Sequence, residues 1–157
     1  SPDNFRWNNF YNHPNEPVHQ VPFMFNEAGM PWLTQKWTRK ISKNAYGSGV
    51  MGLCGNDDVG QLSAWYVLSA MGIHPICPGD NKYQVTSPVF NKIEISLDKE
   101  YYNGNKFTII ANNNSSENIY IQSMQLNGKP LNRFWISHQE IIAGGTLALE
   151  MGPHPFK

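Results

Sequence analysis

The sequence predicts an α+β chain, with helices over residues 16–72 and a small antiparallel β-sheet from Pro75 onward. Three observations predict it. Before Pro75 the apolar residues recur at three- and four-residue spacing, the period of a helix with one buried face. After Pro75 they alternate, as in Ile93-Glu94-Ile95-Ser96-Leu97, the period of a half-buried strand. Asn127-Gly128 follows an alternating run and is the signature of a two-residue hairpin turn.

Each element has its own signals. Asn15-Glu16-Pro17 reads as a helix start: an amide to cap, then an acid and a Pro in the first turn, where the missing N–H costs nothing. Val21, Phe23, Met24 and Phe25 follow, and Gly29 ends the segment. Pro31 opens a second helix through Trp32, Leu33, Trp37 and Ile41 to about Tyr46. Gly47, Gly49, Gly52 and Gly55 make the next stretch a loop. Asn56, Asp57 and Asp58 can cap a third helix, whose stripe is Leu62, Trp65, Tyr66, Leu68 and Ala70 and whose end is Gly72. Strands are expected over 82–86, 92–97, 106–111 and 119–126, with weaker candidates over 133–137 and 146–151.

Composition narrows the function. The 12 basic and 12 acidic residues cancel. That argues against nucleic-acid or anionic-membrane partners, which need clustered Lys and Arg. Charged residues are 15% and aromatics 13% of the chain, and Asn occurs 18 times. Amides and rings with few charges permit a neutral, hydroxyl-rich ligand such as a sugar. No apolar run reaches the roughly 18 residues of a membrane span. The chain opens Ser1-Pro2-Asp3 without an initiator Met, so an upstream portion is expected. Cys54 and Cys77 lack the spacing of a thiolate metal site. Pairing of the two, or a reactive Cys54 near the acids, stays open.

The chemistry candidates lie at helix starts. Asp57 and Asp58 stand side by side after a glycine loop. They can serve as cap and dipole partner, or as a general base or oxygen ligands to a hard cation. Two adjacent like charges repel unless a cation or positive dipole compensates. Asn15 and Glu16 offer an amide oxygen and a carboxylate, a pair that suits calcium as well as a helix cap. His13 and His19 are candidate pocket contacts, although a His on a helix face is more often a satisfied core residue. Trp7, Trp32 and Trp65 can be sugar-stacking platforms or core.

Longer motifs connect these residues: Asn15-Glu16-Pro17 with His19-Gln20 and Pro22-Phe23, Gly29-Met30-Pro31-Trp32 with Thr34-Gln35, and the run from Gly52 to Tyr66 (Gly-Leu-Cys-Gly-Asn-Asp-Asp-Val-Gly-Gln-Leu-Ser-Ala-Trp-Tyr). Met71-Gly72-Ile73, Pro75 and Cys77-Pro78-Gly79 continue the pattern. Together they resemble the C-terminal portion of glycoside hydrolase family 92, the calcium-dependent exo-α-mannosidases of gut Bacteroidetes.

The resemblance implies that residues 1–75 are the last helices of an (α/α)6 catalytic barrel and that 76–157 pack on it. It implies an inverting mechanism, in which an acid protonates the leaving oxygen while a carboxylate activates water on the opposite face. Asp58 matches the general-base position, and Asp57 or Asn56 supports it. Asn15 and Glu16 match the calcium-holding region, and Asn56, Gln61, His13 and His19 are expected near the substrate. The family's general acid lies upstream of Asn15, so this chain alone is expected to be inactive. Selective α-1,2 enzymes of the family often carry a His-Glu pair where this chain has Tyr11-Asn12-His13-Pro14, which leaves α-1,3, α-1,4, α-1,6 and phosphomannoside linkages open. The implied partners are a mannose-containing glycan and the upstream part of the parent. The implied location is periplasmic, cell-surface or secreted in a bacterium. The competing class is a carbohydrate-binding or structural β module, for which Tyr101, Tyr102, Tyr120 and Trp135 are the available aromatics.

Overall fold

A computed structural model of the chain describes residues 11–156; Trp7 lies outside them. The first expected helix is broken. Glu16–Val18 and Val21–Phe23 are separate 3-10 turns, and α1 spans only Met24–Glu27. Pro17 and Pro22 each sit in the first turn of their own element, whereas Pro22 inside a helix begun at Glu16 would lose a hydrogen bond and clash with the preceding turn. Helix α2 runs Pro31–Asn44, with Pro31 at its start and Lys43 in the last turn, where a cation suits the carbonyl end. Helix α3, Gln61–Met71, is closed by Gly72 at φ 97°.

The strands are β1 (Ile73–His74), β2 (Lys82–Val85), β3 (Lys92–Ser96), β4 (Lys106–Asn112), β5 (Tyr120–Leu126), β6 (Lys129–Pro130), β7 (Trp135–Ser137) and β8 (Gly145–Gly152). They form two sheets, ordered β1-β2-β7 and β3-β4-β8-β5-β6. The expectation of a single antiparallel sheet is thereby corrected, because β4 and β8 pair in parallel. Residues 113–144 separate these two strands, enough for the long crossover that parallel pairing needs. The β5–β6 hairpin turns on Asn127 and Gly128, both left-handed at φ 51° and 76°, as a type I′ turn requires. A short helix α4, His138–Ile142, begins with a reciprocal capping box: Ser137 Oγ accepts the Glu140 N–H and the Glu140 carboxylate accepts the Ser137 N–H.

Burial separates into two cores. Val85, Phe107, Ile109, Ile136, Leu147 and Leu149 fill the one between the sheets and α4. Phe23, Ile41, Leu62 and Trp65 fill the helical one. Polar bonds fasten one to the other. Gln35, on α2 and 2% exposed, accepts the Ile121 N–H at 3.0 Å beside the bulge in β5. Asn26 donates to the carbonyls of Val85 and Phe134, and Arg39 donates to Ser87. The helices are therefore tied to the sheets by buried and half-buried polar bonds.

Candidate functional site

The two sequence motifs meet at a glycine. A Cβ built on Gly55 would lie 2.7 Å from Pro14 Cβ and 3.0 Å from Pro14 Cα, so only glycine lets the Gly52–Asp58 loop lie against the Pro14-Asn15-Glu16 turn. A side-chain bridge joins the same two segments farther in, where Gln61 Nε2 donates to His19 Nδ1 at 3.3 Å.

Proton counting fixes the base of the site. Tyr46 Oη donates to Leu62 O at 3.1 Å and has one hydrogen, so it accepts from His13 Nε2–H at 2.7 Å. Nδ1 of His13 then accepts the Tyr11 hydroxyl at 2.8 Å. His19 Nε2–H donates to His13 O at 2.9 Å, and Trp65 Nε1–H donates to His19 O at 2.9 Å. His13 stands edge-on to Trp65 with centroids 4.4 Å apart. Desolvation holds His13 down to about 3 and also lowers His19, partly offset by its bond to His13 O. Both imidazoles are buried and neutral, and each ring nitrogen is engaged within the protein. They sit beneath the surface turn and present no nitrogen to a ligand in this arrangement. Trp65 is fully buried core.

The adjacent acids divide. Asp57 accepts the Ser63 N–H at 3.0 Å and the Ser63 hydroxyl, so its carboxylate closes the first turn of α3. The Ser63 hydroxyl bond, then the Ser63 amide bond, hold Asp57 below the usual carboxylate range. Asp58 is exposed, and no hydrogen bond or ion pair engages its carboxylate among the described residues. The backbone between them and α3 is unusual. Val59, fully exposed and β-branched, takes φ 55° and ψ 25°, followed by Gly60 at φ 79°. A left-handed Val is a strained conformation of the kind that gathers at functional sites. The two left-handed residues fold the chain back so that Asp57 reaches Ser63, six residues on. A cap ordinarily spans two or three residues, which is why sequence reasoning missed Ser63. It also missed Tyr11 and Tyr46 as partners of His13, because that contact depends on the tertiary fold.

Asn15 makes no side-chain cap bond to the turn it precedes. Glu16 Oε1 is buried and takes no hydrogen bond from any described residue. An orphaned buried carboxylate oxygen beside an exposed amide fits a hard, oxygen-liking cation. Among the described residues, no three His, Cys, Asp or Glu side chains gather as a metal site, so any further donors would be amides, carbonyls, water or ligand. Asn56 is exposed on the same loop. Cys54 is buried, Cys77 is exposed, and the two form no disulfide.

Comparison with known proteins gives this arrangement its class, that of the glycosyl hydrolases. The chain belongs to glycosyl hydrolase family 92: the model of that family's catalytic domain matches residues 2–153. An uncharacterized secreted glycosidase of Arthroderma benhamiae is 36% identical over 140 residues, 88% of this chain and 18% of the relative. Among solved structures, the inverting mannosidase BT2199 of Bacteroides thetaiotaomicron is 38% identical with a TM-score of 0.85, covering 94% of this chain and 19% of that one. The α-mannosidase BT3965 of the same organism is 34% identical, also with a TM-score of 0.85, over 93% of this chain and 19% of that one. The chain thus spans about a fifth of the length of these relatives.

Proposed function

We propose that this chain carries the general base and part of the calcium site of an exo-acting, inverting α-mannosidase. The observation that carries the reading is the division of labour between neighbouring acids. Asp57 is consumed by folding, and Asp58 is left with its carboxylate exposed and unengaged. A general base needs a lone pair free to take a proton from water. Asp57 is then a positioning residue: it locks the first turn of α3, and that turn sets where Asp58 projects. His13, His19 and Gln61 hold the Asn15–Glu16 turn against the same helix. Asn15 and Glu16 would hold a calcium ion, which when bound supplies electrostatic grip on sugar hydroxyl oxygens. The protonating acid of the inverting pair belongs to residues outside this chain, and an exported location follows from the description of the fungal relative as secreted. No helix among the described residues is long and apolar enough to cross a membrane.

The test is Asp58→Asn in the whole enzyme. Loss of a general base costs about 10²–10⁴-fold in kcat, and the remaining product should still form with inverted anomeric configuration by proton NMR. Retention of more than a tenth of wild-type kcat would remove Asp58 from the role. In the chain itself, Glu16→Gln should weaken calcium uptake in a calorimetric titration, and unchanged uptake would remove Glu16 from the site.

A further inference from the structure

We propose that the cleft between α2, α3 and the start of β5 binds a phosphate monoester, whose dianionic head meets Lys36, Arg39 and Lys43 while its organic body rests on Val89 and Ile119. The cleft encloses about 530 Å³, within the roughly 300–1,000 Å³ range of small-molecule sites. It shares no residue with Asn15, Glu16 or Asp58.

Charge is distributed unevenly in this chain. Basic and acidic residues cancel at 12 each, yet Lys36, Arg39, Lys40 and Lys43 all fall on one short stretch of α2. Spacings of three and four put them on one face of the helix, and all four line the cleft. No acid occurs over residues 28–56, 59–79 or 81–93, which hold α2, α3 and Val89. The remaining wall, residues 116–120, contains Glu117, which is exposed and does not line the cleft. Like charges four residues apart destabilise a helix, and α2 carries Lys36 with Lys40 and Arg39 with Lys43 without an acid to offset them. The carbonyl end of α2 favours a cation at Lys43 in the last turn. It gives no such reason for Lys36 and Arg39.

Arg39 carries the positive charge inward. It is half-buried and donates to Ser87 Oγ at 3.0 Å, Ser87 O at 3.2 Å, Ser115 O at 3.4 Å and Asn114 Oδ1. Every one of these acceptors is neutral, and no carboxylate pairs with Arg39 among the described residues. Burial pushes the guanidinium down to about 10, as for a cation short of a counter-charge. Lys36 stands 5.4 Å from the Trp37 ring centre, a contact that attracts a cation without neutralising it. Tyr66 and Tyr120 also line the cleft, and their hydroxyls make no hydrogen bond among the described residues. A ligand that answers this lining is anionic, accepts from several donors and has an apolar part. A phosphate monoester carries about −1.5 to −2 charge at pH 7 and three acceptor oxygens. A sulfate monoester or a carboxylate brings one charge to the same cations.

The cleft is built without Asp58 or Glu16, so failure here is separable from failure of the hydrolase reading. The experiment titrates phenyl phosphate, inorganic phosphate and phenyl sulfate into the isotopically labelled chain at constant ionic strength. It follows the Arg39 Nε–H and the backbone amides of Lys43 and Ser116 by NMR. Phenyl phosphate should give saturable shifts at all three, binding at least threefold tighter than inorganic phosphate and at least tenfold tighter than phenyl sulfate. Joint Lys36→Gln and Lys43→Gln replacement, at two exposed positions, should weaken phenyl phosphate at least tenfold with the circular dichroism spectrum kept. Lys129→Gln, which removes an exposed lysine from β6, should leave its affinity unchanged, as should Glu16→Gln and Asp58→Asn. Phenyl sulfate binding as tightly as phenyl phosphate, shifts that never saturate, an equal loss with Lys129→Gln, or a response to a long polyphosphate alone would each overturn the proposal. The comparison of the two phenyl esters on the unaltered chain decides it even if a variant fails to fold.

Discussion

Replacing Gly55 by Ala tests whether the two motifs are held together by close backbone packing. The added Cβ would sit 2.7 Å from Pro14 Cβ, 3.0 Å from Pro14 Cα and 3.2 Å from Pro14 O. Carbon atoms rest at about 3.5–4.0 Å, so the loop and the turn must part by roughly 0.8–1.3 Å. Neither side can yield cheaply, because the contacted atoms belong to a proline ring and its backbone. Overpacking of this kind costs about 1–3 kcal/mol. The displacement falls two residues from Glu16 and three from Asp58, so calcium uptake should drop along with stability. The assay is urea unfolding followed by tryptophan fluorescence, with calcium calorimetry beside it. Gly47→Ala is the control, since a Cβ there meets nothing within 4 Å and the residue lacks a left-handed φ. It should be neutral or stabilising by about 0.4–1 kcal/mol. If Gly55→Ala matches Gly47→Ala in unfolding midpoint and in calcium uptake, the packing argument is wrong.

Three other outcomes are expected. Val59→Asn should stabilise the chain by up to about 1 kcal/mol, since Asn tolerates the left-handed conformation that Val resists; an unchanged urea midpoint would mean that Val59 is not strained. Asp57 has its acidity raised by Ser63 in the folded state, so its contribution is present above the unfolded carboxylate range, near pH 4, and is lost as pH falls through the lower folded value. Asp57→Asn should flatten the fall in stability as pH drops below the unfolded carboxylate range, and identical curves would refute it. His74 is stacked on Phe23 at 4.0 Å, donates Nδ1–H to Pro75 O, and is pushed down to about 4 by burial. Its stabilisation is whole above pH 6.5 and falls by roughly 1.4 kcal/mol per unit down to about pH 4; a His74 ring resonance titrating near 6.5 would contradict this.

Much of the fold was legible in local signals. Pro31, the alternating runs and Asn127-Gly128 act on the chain within a few residues of themselves, so α2, most strands and the hairpin appear near their expected places. The capping box of α4 was equally local, and Ser137-x-x-Glu140 stood in the sequence to be read. The first helix was misread because the acid-and-proline start at Glu16 outweighed a second proline at Pro22. The parallel β4–β8 pair was not legible at all, since side-chain alternation carries no information about which strand lies alongside or in which direction.

The candidate site splits along the same line. Residue types at short spacing, from Asn15-Glu16-Pro17 to the Gly52–Tyr66 run, sufficed to mark the family and the acids worth examining, because carboxylates and amides carry their chemistry wherever they stand. Which acid is free and which is spent, whether His13 faces a ligand or a tyrosine, and that Gly55 must stay small were decided only in the fold. The reason is physical. Hydrogen bonding and desolvation depend on which atoms approach within about 3 Å, and Tyr46 reaches His13 and Pro14 reaches Gly55 only after the helices have packed on Trp65.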